Sequence, residues 1–246
     1  VIPRLFSYYG GKGKIARYYP RPIYDTIIEP FAGSAGYSLR YADKHIILVE
    51  KNHKVAEVWR FLIHASPNDI RALPLLGPDD DLREMDLPDP ARWFIGFWVN
   101  QATPMPCNKL STWAKSKYKT SVHFWGMKCR ARCASFVDRI SHWEIIEGDY
   151  TDAPNIEATW HIDPPYQEEG KYYPEGKDLD YESLAEWCQS RQGQIMVCEN
   201  AGATWLPFQF LRNIHGAARP SGWAKKSTEV IWTNEKPREG FGVFDG

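Results

Sequence analysis

An α/β fold, built on a parallel sheet with helices over its faces and interrupted by an insertion, is predicted by three observations. Short β-branched runs alternate with amphipathic stretches of helical period in the first third of the chain. Strand-like runs bounded by turn residues then resume in the second half. Between them lies a block with neither pattern, rich first in proline and acids and then in bases and aromatics. At 246 residues the chain has enough surface to bury one large core, so one domain with an insertion is the simplest organisation. The catalytic part is predicted over 1–72 and 138–246, and the inserted, mainly helical module over 73–137.

The elements follow in order. "YDTIIE" (24–29) is a short apolar strand, and "PFAGSAGYSLRYA" is expected to turn from it into a helix. "HIILVE" (45–50) is a second strand, followed by an amphipathic helix through "KVAEVWRFLIHA". "PLLGPDDDLREMDLPDP" (74–90) reads as an exposed connector, with Asp79 to Asp81 solvated. "RWFIGFWVN" has the apolar density of a buried helix. Further strands are expected at "HWEIIEGD", "ATWHID", "GQIMVCEN" and "EVIWTN", with "YESLAEWCQSR" a helix before the third of these.

The formal net charge of -1 hides an uneven layout. No Asp or Glu occurs between Asp89 and Asp138, an interval holding Arg92, Lys109, Lys115, Lys117, Lys119, Lys128, Arg130 and Arg132 among many aromatic residues. A dipolar chain of this kind focuses attraction for a polyanion on one face; bases offset phosphate charge and rings stack or pack. A solvated basic surface on a packed subdomain is the plainer alternative. The five cysteines are odd in number and read as free thiols of a reducing compartment. No apolar run is long enough to span a bilayer, so a cytoplasmic protein without a membrane partner is expected. Cys129 and Cys133 lack C-x-x-C spacing, and no metal is expected.

Four short segments carry chemistry. In "EPFAGSAG" (29–36) glycines at a strand-to-helix turn let a ligand approach the backbone. Glu50, ending the next strand, stands where an acid reaches ribose hydroxyls. "FSYYGGKGK" (6–14) places aromatic faces and a lysine beside a flexible turn, and without a following Gly-Lys-Ser or Gly-Lys-Thr it is not a phosphate loop. In "DPPY" (163–166) an acid, two residues lacking N–H donors and a ring stand where a strand stops, leaving acceptors for a flat hydrogen-donating molecule.

Taken in this order, "FSYYGGK", "IIEPFAGSAG", "ILVEKN", "EGDY" and "DPPY", with "MVCEN" and "EVIWTN", resemble the Dam-type DNA adenine-N6 methyltransferases. The resemblance implies a Rossmann-like S-adenosylmethionine-dependent methyltransferase sheet with an inserted target-recognition module. It implies contacts to S-adenosylmethionine from Tyr8, Lys12, Glu29, Phe31, Gly33, Glu50, Asp149 and Asp163. It also implies an amine-binding corner of Asp163, Pro164, Pro165 and Tyr166 acting on a flipped adenine, with Tyr172 or Tyr173 closing the far face. Lys109, Lys115, Lys117, Lys119, Lys128, Arg130 and Arg132 are the expected contacts to double-stranded DNA, and a monomer or weak dimer is expected. The family's second loop glycine falls on Ala35, with Gly36 following. An RNA adenine methyltransferase, or a nucleic-acid binder with a relic cofactor pocket, are the alternatives.

Overall fold

The structure, a computed structural model, describes residues 4–100, 103–117, 124–167, 179–215 and 226–235. The chain divides into two compact units: Val1–Tyr19 with Thr26–Ala153, and Pro20–Asp25 with Pro154–Gly246. The segment expected to form an insertion, 73–137, falls inside the first unit.

In the first unit, β1 (Thr26–Glu29), β2 (His45–Glu50) and β3 (Glu144–Glu147) are parallel in the order β3-β2-β1, with Ile28 opposite Ile47 and Val49 opposite Ile146. β2 is buried from Ile46 to Glu50, as suits a central strand covered on both faces. α1 (His53–His64) follows, its first turn satisfied by the Asn52 side chain, which accepts from the N–H groups of Lys54 and Val55. Val55, Trp59, Leu62 and Ile63 fill its inner face at helical spacing. α2 (Pro67–Ala72) starts with a Ser66–Asp69 capping box and Pro67 in its first turn. α3 (Asp89–Val99) buries Phe94, Ile95, Phe97, Trp98 and Val99, which makes it the core helix its composition predicts. α4 (Thr112–Lys117) and α5 (Met127–Ala134) are shorter.

Two expectations are corrected in this unit. No α-helix follows the 29–36 turn; a 3-10 turn at Ser38–Tyr41 stands there, with the Ser38 N–H given to Glu29 Oε1. The connector 74–90 is not wholly exposed: Asp81 and Leu82 are buried around a 3-10 turn at Leu82–Glu84.

In the second unit, β4 (Ala158–Ile162) runs parallel to β5 (Gly193–Asn200), β7 (Lys226–Thr233) is antiparallel to β5, and β6 (Gln209–His215) is antiparallel to β7. The order is β4-β5-β7-β6. β6 was not foreseen. All five residues of β4 are buried, its polar members included. Its polar members are paired: Thr159 Oγ1 donates to Gln194 Oε1 at 2.8 Å, and His161 Nε2 lies 3.5 Å from Cys198 Sγ. α6 (Tyr181–Gln189) is capped by Asp180, which accepts from Glu182 N and Ser183 N.

The described residues thus hold seven strands, mostly parallel, with helices. This is a mixed α/β fold compatible with a Rossmann-like sheet. Among the described residues no helix is long and apolar enough to cross a membrane. All five cysteines are free thiols.

The abundance of tryptophan, 11 residues, has a structural reason. Five indoles bury their rings and donate Nε1–H to a main-chain carbonyl: Trp59 to Gly33, Trp98 to Leu5, Trp125 to Pro74, Trp143 to Ala42 and Trp160 to Gln192, at 2.7–3.0 Å. Each couples a large apolar side chain to a loop, since a buried indole N–H needs a partner.

Candidate functional site

In the first unit the loops after β1 and β2 form one assembly. Glu29, ending β1, is 2% exposed, and its Oε1 accepts the N–H of Ser38 at 2.8 Å, closing the far end of the loop. Ala32 N donates to Val49 O at 3.0 Å. Gly33 N donates to Glu50 Oε2 at 2.8 Å, while Glu50 Oε1 accepts Asn52 N at 2.9 Å. Glu50 thus holds the glycine turn and the start of α1 with one carboxylate. Gly33 and Ala35 both have positive φ, +45° and +46°. The turn therefore keeps its left-handed backbone at Ala35, where glycine is the easier residue.

The loop 8–13 lies directly against this turn. A Cβ on Gly36 would sit 2.7 Å from Gly13 N and 3.0 Å from the Lys12 carbonyl carbon, so only glycine lets the two backbones approach. A Cβ on Gly33 would meet the Tyr8 ring at 3.2 Å, and the Lys12 side chain is largely buried. The Phe31 ring stacks on Tyr150, centroids 5.3 Å apart and planes at 24°. Asp149 caps the 3-10 turn Tyr150–Asp152, and its Oδ2 pairs with Lys51 Nζ at 2.9 Å. Gly148 N donates to Glu50 O at 3.1 Å, which brings the Asp149 turn to the end of β2. The sequence-predicted residues Tyr8, Lys12, Glu29, Phe31, Gly33, Glu50 and Asp149 therefore gather around the ends of β1 and β2. Sequence reasoning missed Tyr150, Asn52 and Trp59 as members of this assembly; Tyr150 was the aromatic residue next to Asp149 in "EGDY".

In the second unit the DPPY corner leaves the end of β4. Asp163, Pro165 and Tyr166 are half-buried and Pro164 is buried. One expectation fails here: the carbonyls after Asp163 are not all unpaired, because Tyr181 Oη donates to Pro165 O at 2.7 Å. No described residue donates to the Pro164 carbonyl. The Tyr166 hydroxyl donates to Glu229 Oε1 at 2.8 Å, and Gln167 N donates to Glu199 Oε2 at 3.0 Å. Glu199 also accepts Asn200 N at 2.8 Å and Trp205 Nε1 at 3.1 Å.

Burial pushes the Glu199 carboxyl above its ordinary range; the three donors oppose this and the nearby Asp163 charge adds to it. Burial, with a smaller push from Glu199, raises the Tyr181 hydroxyl to about 12. Tyr181 is therefore a neutral donor throughout the physiological range. Glu199, Glu229, Tyr181 and Trp205 were not foreseen as site residues, although "MVCEN" and "EVIWTN" contained the two acids. Tyr172 and Tyr173 lie outside the described residues.

The basic residues of segment 73–137 are more engaged than their composition implies. Lys115 Nζ pairs with Asp79 Oδ1 at 2.6 Å and Lys109 Nζ with Asp81 Oδ2 at 3.3 Å. Asp79–Asp81 is thus not merely solvated. Arg130 donates to Leu73 O at 2.6 Å, and Arg132 lies over the Trp98 ring, 5.2 Å from its centroid. Lys128 is exposed on α5. Lys119 and the Lys117 side chain lie outside what is described.

Asp81 is 4% exposed and accepts from Arg83 Nε at 3.0 Å and NH2 at 2.6 Å. The Arg83 hydrogen bonds, with Lys109 adding, hold its carboxyl well below the usual range. A depressed carboxyl contributes stability that is complete above its unfolded pKa and lost as pH falls through the folded one. Asp81→Asn is therefore expected to lower Tm at pH 7, with the gap to the unaltered chain closing as acid falls below about pH 4. Melting curves from neutral pH into acid check this, and a gap constant with pH would contradict it.

Among the described residues, His53, Glu57 and Glu147 bring ligand atoms within 4.8 Å of one another. Arg60 pairs with Glu57 and lies 3.6 Å from Glu147 Oε2, so a guanidinium already supplies positive charge to both acids. No family model matches the chain, and no curated protein does.

Proposed function

We propose that the chain is an S-adenosylmethionine-dependent adenine-N6 methyltransferase acting on double-stranded DNA. The reading is carried by the DPPY corner. There a half-buried carboxylate, a proline carbonyl with no described donor and a tethered aromatic ring follow one another at a strand end.

The first-unit loops fit the methyl donor chemically. The acid Glu50 at a strand end, the Phe31 ring and the Asp149 turn are groups suited to a nucleoside carrying an amino acid. Tyr8, Lys12, Glu29, Phe31, Gly33, Glu50 and Asp149 would hold it. When bound, S-adenosylmethionine supplies a methyl group activated by a sulfonium centre.

The protein supplies orientation. The exocyclic amine of adenine is a poor nucleophile because its lone pair is delocalised into the ring. The Asp163 carboxylate and the Pro164 carbonyl accept its two N–H bonds, favour a pyramidal nitrogen and leave the lone pair free for in-line attack. Tyr166 stacks on the base; such stacking contributes about 1–3 kcal/mol, which helps offset the cost of extruding the base from its duplex.

The test is side-by-side transfer of labelled methyl groups to duplex DNA, RNA and free nucleotide, followed by sequencing of the methylated adenines. Labelled N6-methyladenine in duplex DNA is the expected product. Preference for RNA would retire the DNA assignment, and no transfer would favour a binding module.

For the insertion, neutralising Lys115, Lys117 and Lys119 together is expected to weaken binding across all DNA sequences. Each lysine that touches a phosphate steepens log K against log salt by about 0.9. Affinity titrations across salt concentration read this directly. An unchanged slope would mean that Lys115 keeps Asp79 as its partner and that the other two face water.

A further inference from the structure

Glu199 and Glu229 are each 1% exposed. Such burial is costly for carboxylates unless something is gained by keeping them. The donors they accept from indicate what that is. Glu199, near the end of β5, takes the N–H of Gln167, the residue after Tyr166, together with Asn200 N and the Trp205 indole. Glu229 lies on β7 opposite Asn200 and takes the Tyr166 hydroxyl itself. The carbonyl before Tyr166, that of Pro165, accepts from Tyr181 Oη, whose ring packs 5.6 Å from Trp205. Tyr166 is thus fastened at its hydroxyl, at the peptide before it and at the amide after it. A ring serving only as packing needs none of these ties, since a half-buried tyrosine can hydrate its own hydroxyl.

We propose that Glu199 and Glu229 are positioning residues that fix the plane of the Tyr166 ring, and with it the Asp163–Pro164 acceptors, by clamping the corner to β5 and β7. This rests on the methyltransferase reading for its catalytic consequence, though the clamp itself does not. The two carboxylates act at different points. Glu199 sets the backbone after Tyr166, and Glu229 sets the tilt of the ring through its hydroxyl.

The experiment compares Glu229→Ala, Glu229→Gln, Tyr166→Phe, the Glu229→Ala/Tyr166→Phe double variant and Glu199→Met in the full chain. Glu229→Gln retains an acceptor for the hydroxyl. Glu199→Met keeps a similar volume but offers the Gln167 N–H no oxygen. Misplacing a reacting group by about 1 Å costs roughly 100-fold, so Glu229→Ala is expected to lower kcat roughly 10- to 100-fold with KM for S-adenosylmethionine within about twofold. Tyr166→Phe should match it, the double variant should lose no more than either single change, and Glu229→Gln should recover most of the rate. Unchanged kcat in Glu229→Ala, or losses that multiply in the double variant, would overturn the role of Glu229.

Hydrogen exchange at the Gln167 amide is read on the same proteins and needs no activity. Glu199→Met is expected to accelerate it at least tenfold, and unchanged exchange overturns the Glu199 clamp whether or not the chain methylates. An unaltered chain that transfers no methyl group to any adenine substrate retires the methyltransferase reading and the catalytic role with it. The Gln167 exchange then decides the clamp alone.

Discussion

Asp163→Ala is expected to reduce methyl transfer roughly 10²- to 10³-fold, the loss typical when one of two groups arranged for a transition state is removed. The adenine amine would keep only the Pro164 carbonyl as an acceptor, and one acceptor does not hold a pyramidal nitrogen with its lone pair aimed. Asp163 is one of the causes that raise the buried Glu199 carboxyl, so its charge opposes ionisation there. Melting curves of the same variant separate a chemical role from a structural one. Rate loss with undiminished Tm would mark Asp163 as a group kept for chemistry at some cost to the fold. A variant that methylates at the original rate would end the proposed mechanism, while equal loss of rate and Tm would make Asp163 a structural residue.

The second large effect is on the fold. Gly193 starts β5 with φ at +106°, and a Cβ there would lie 2.2 Å from Ala158 O and 2.8 Å from Ala158 N. Ala158 is its register partner on β4, so neither backbone can withdraw without breaking the parallel pair that leads to Ile162 and the DPPY corner. The left-handed backbone costs about 1–3 kcal/mol for a residue with a side chain, and forced overpacking about as much again. Gly193→Ala is thus expected to destabilise the protein by about 3–5 kcal/mol, a large share of a domain's usual 5–15. Urea unfolding followed by tryptophan fluorescence measures this. A change below about 1 kcal/mol would show that β4 and β5 can separate at that end more easily than their pairing implies.

What the sequence disclosed follows the range of the interactions involved. Strands β1–β5 and β7 were legible because runs such as "HIILVE" and "GQIMVCEN" carry their own signal. β6 was not, because "QFLRNIH" mixes apolar and polar residues irregularly, leaves Phe210 exposed and pairs with a register irregularity near Arg212. The glycine turn and Glu50 were legible because a glycine or an acid at a strand end has local meaning. The helix expected after the turn is a short 3-10 turn at Ser38–Tyr41, whose first N–H goes to Glu29, nine positions back in the chain. Glu199 and Glu229 were invisible as site residues because their partners lie 32 and 63 positions away at Gln167 and Tyr166. The same distance hid the pairing of Asp79 with Lys115, 36 positions on, so a count of charges in segment 73–137 overstated its free positive charge.

The five indoles that each grip a peptide oxygen leave a particular freedom in the chain. A peptide oxygen is present whatever side chain its residue carries. Leu5, Gly33, Ala42, Pro74 and Gln192 are therefore fastened without their identities being dictated by the fastening. Related chains can be expected to vary at such acceptor positions, wherever packing permits, while the tryptophans persist and the segments keep their course.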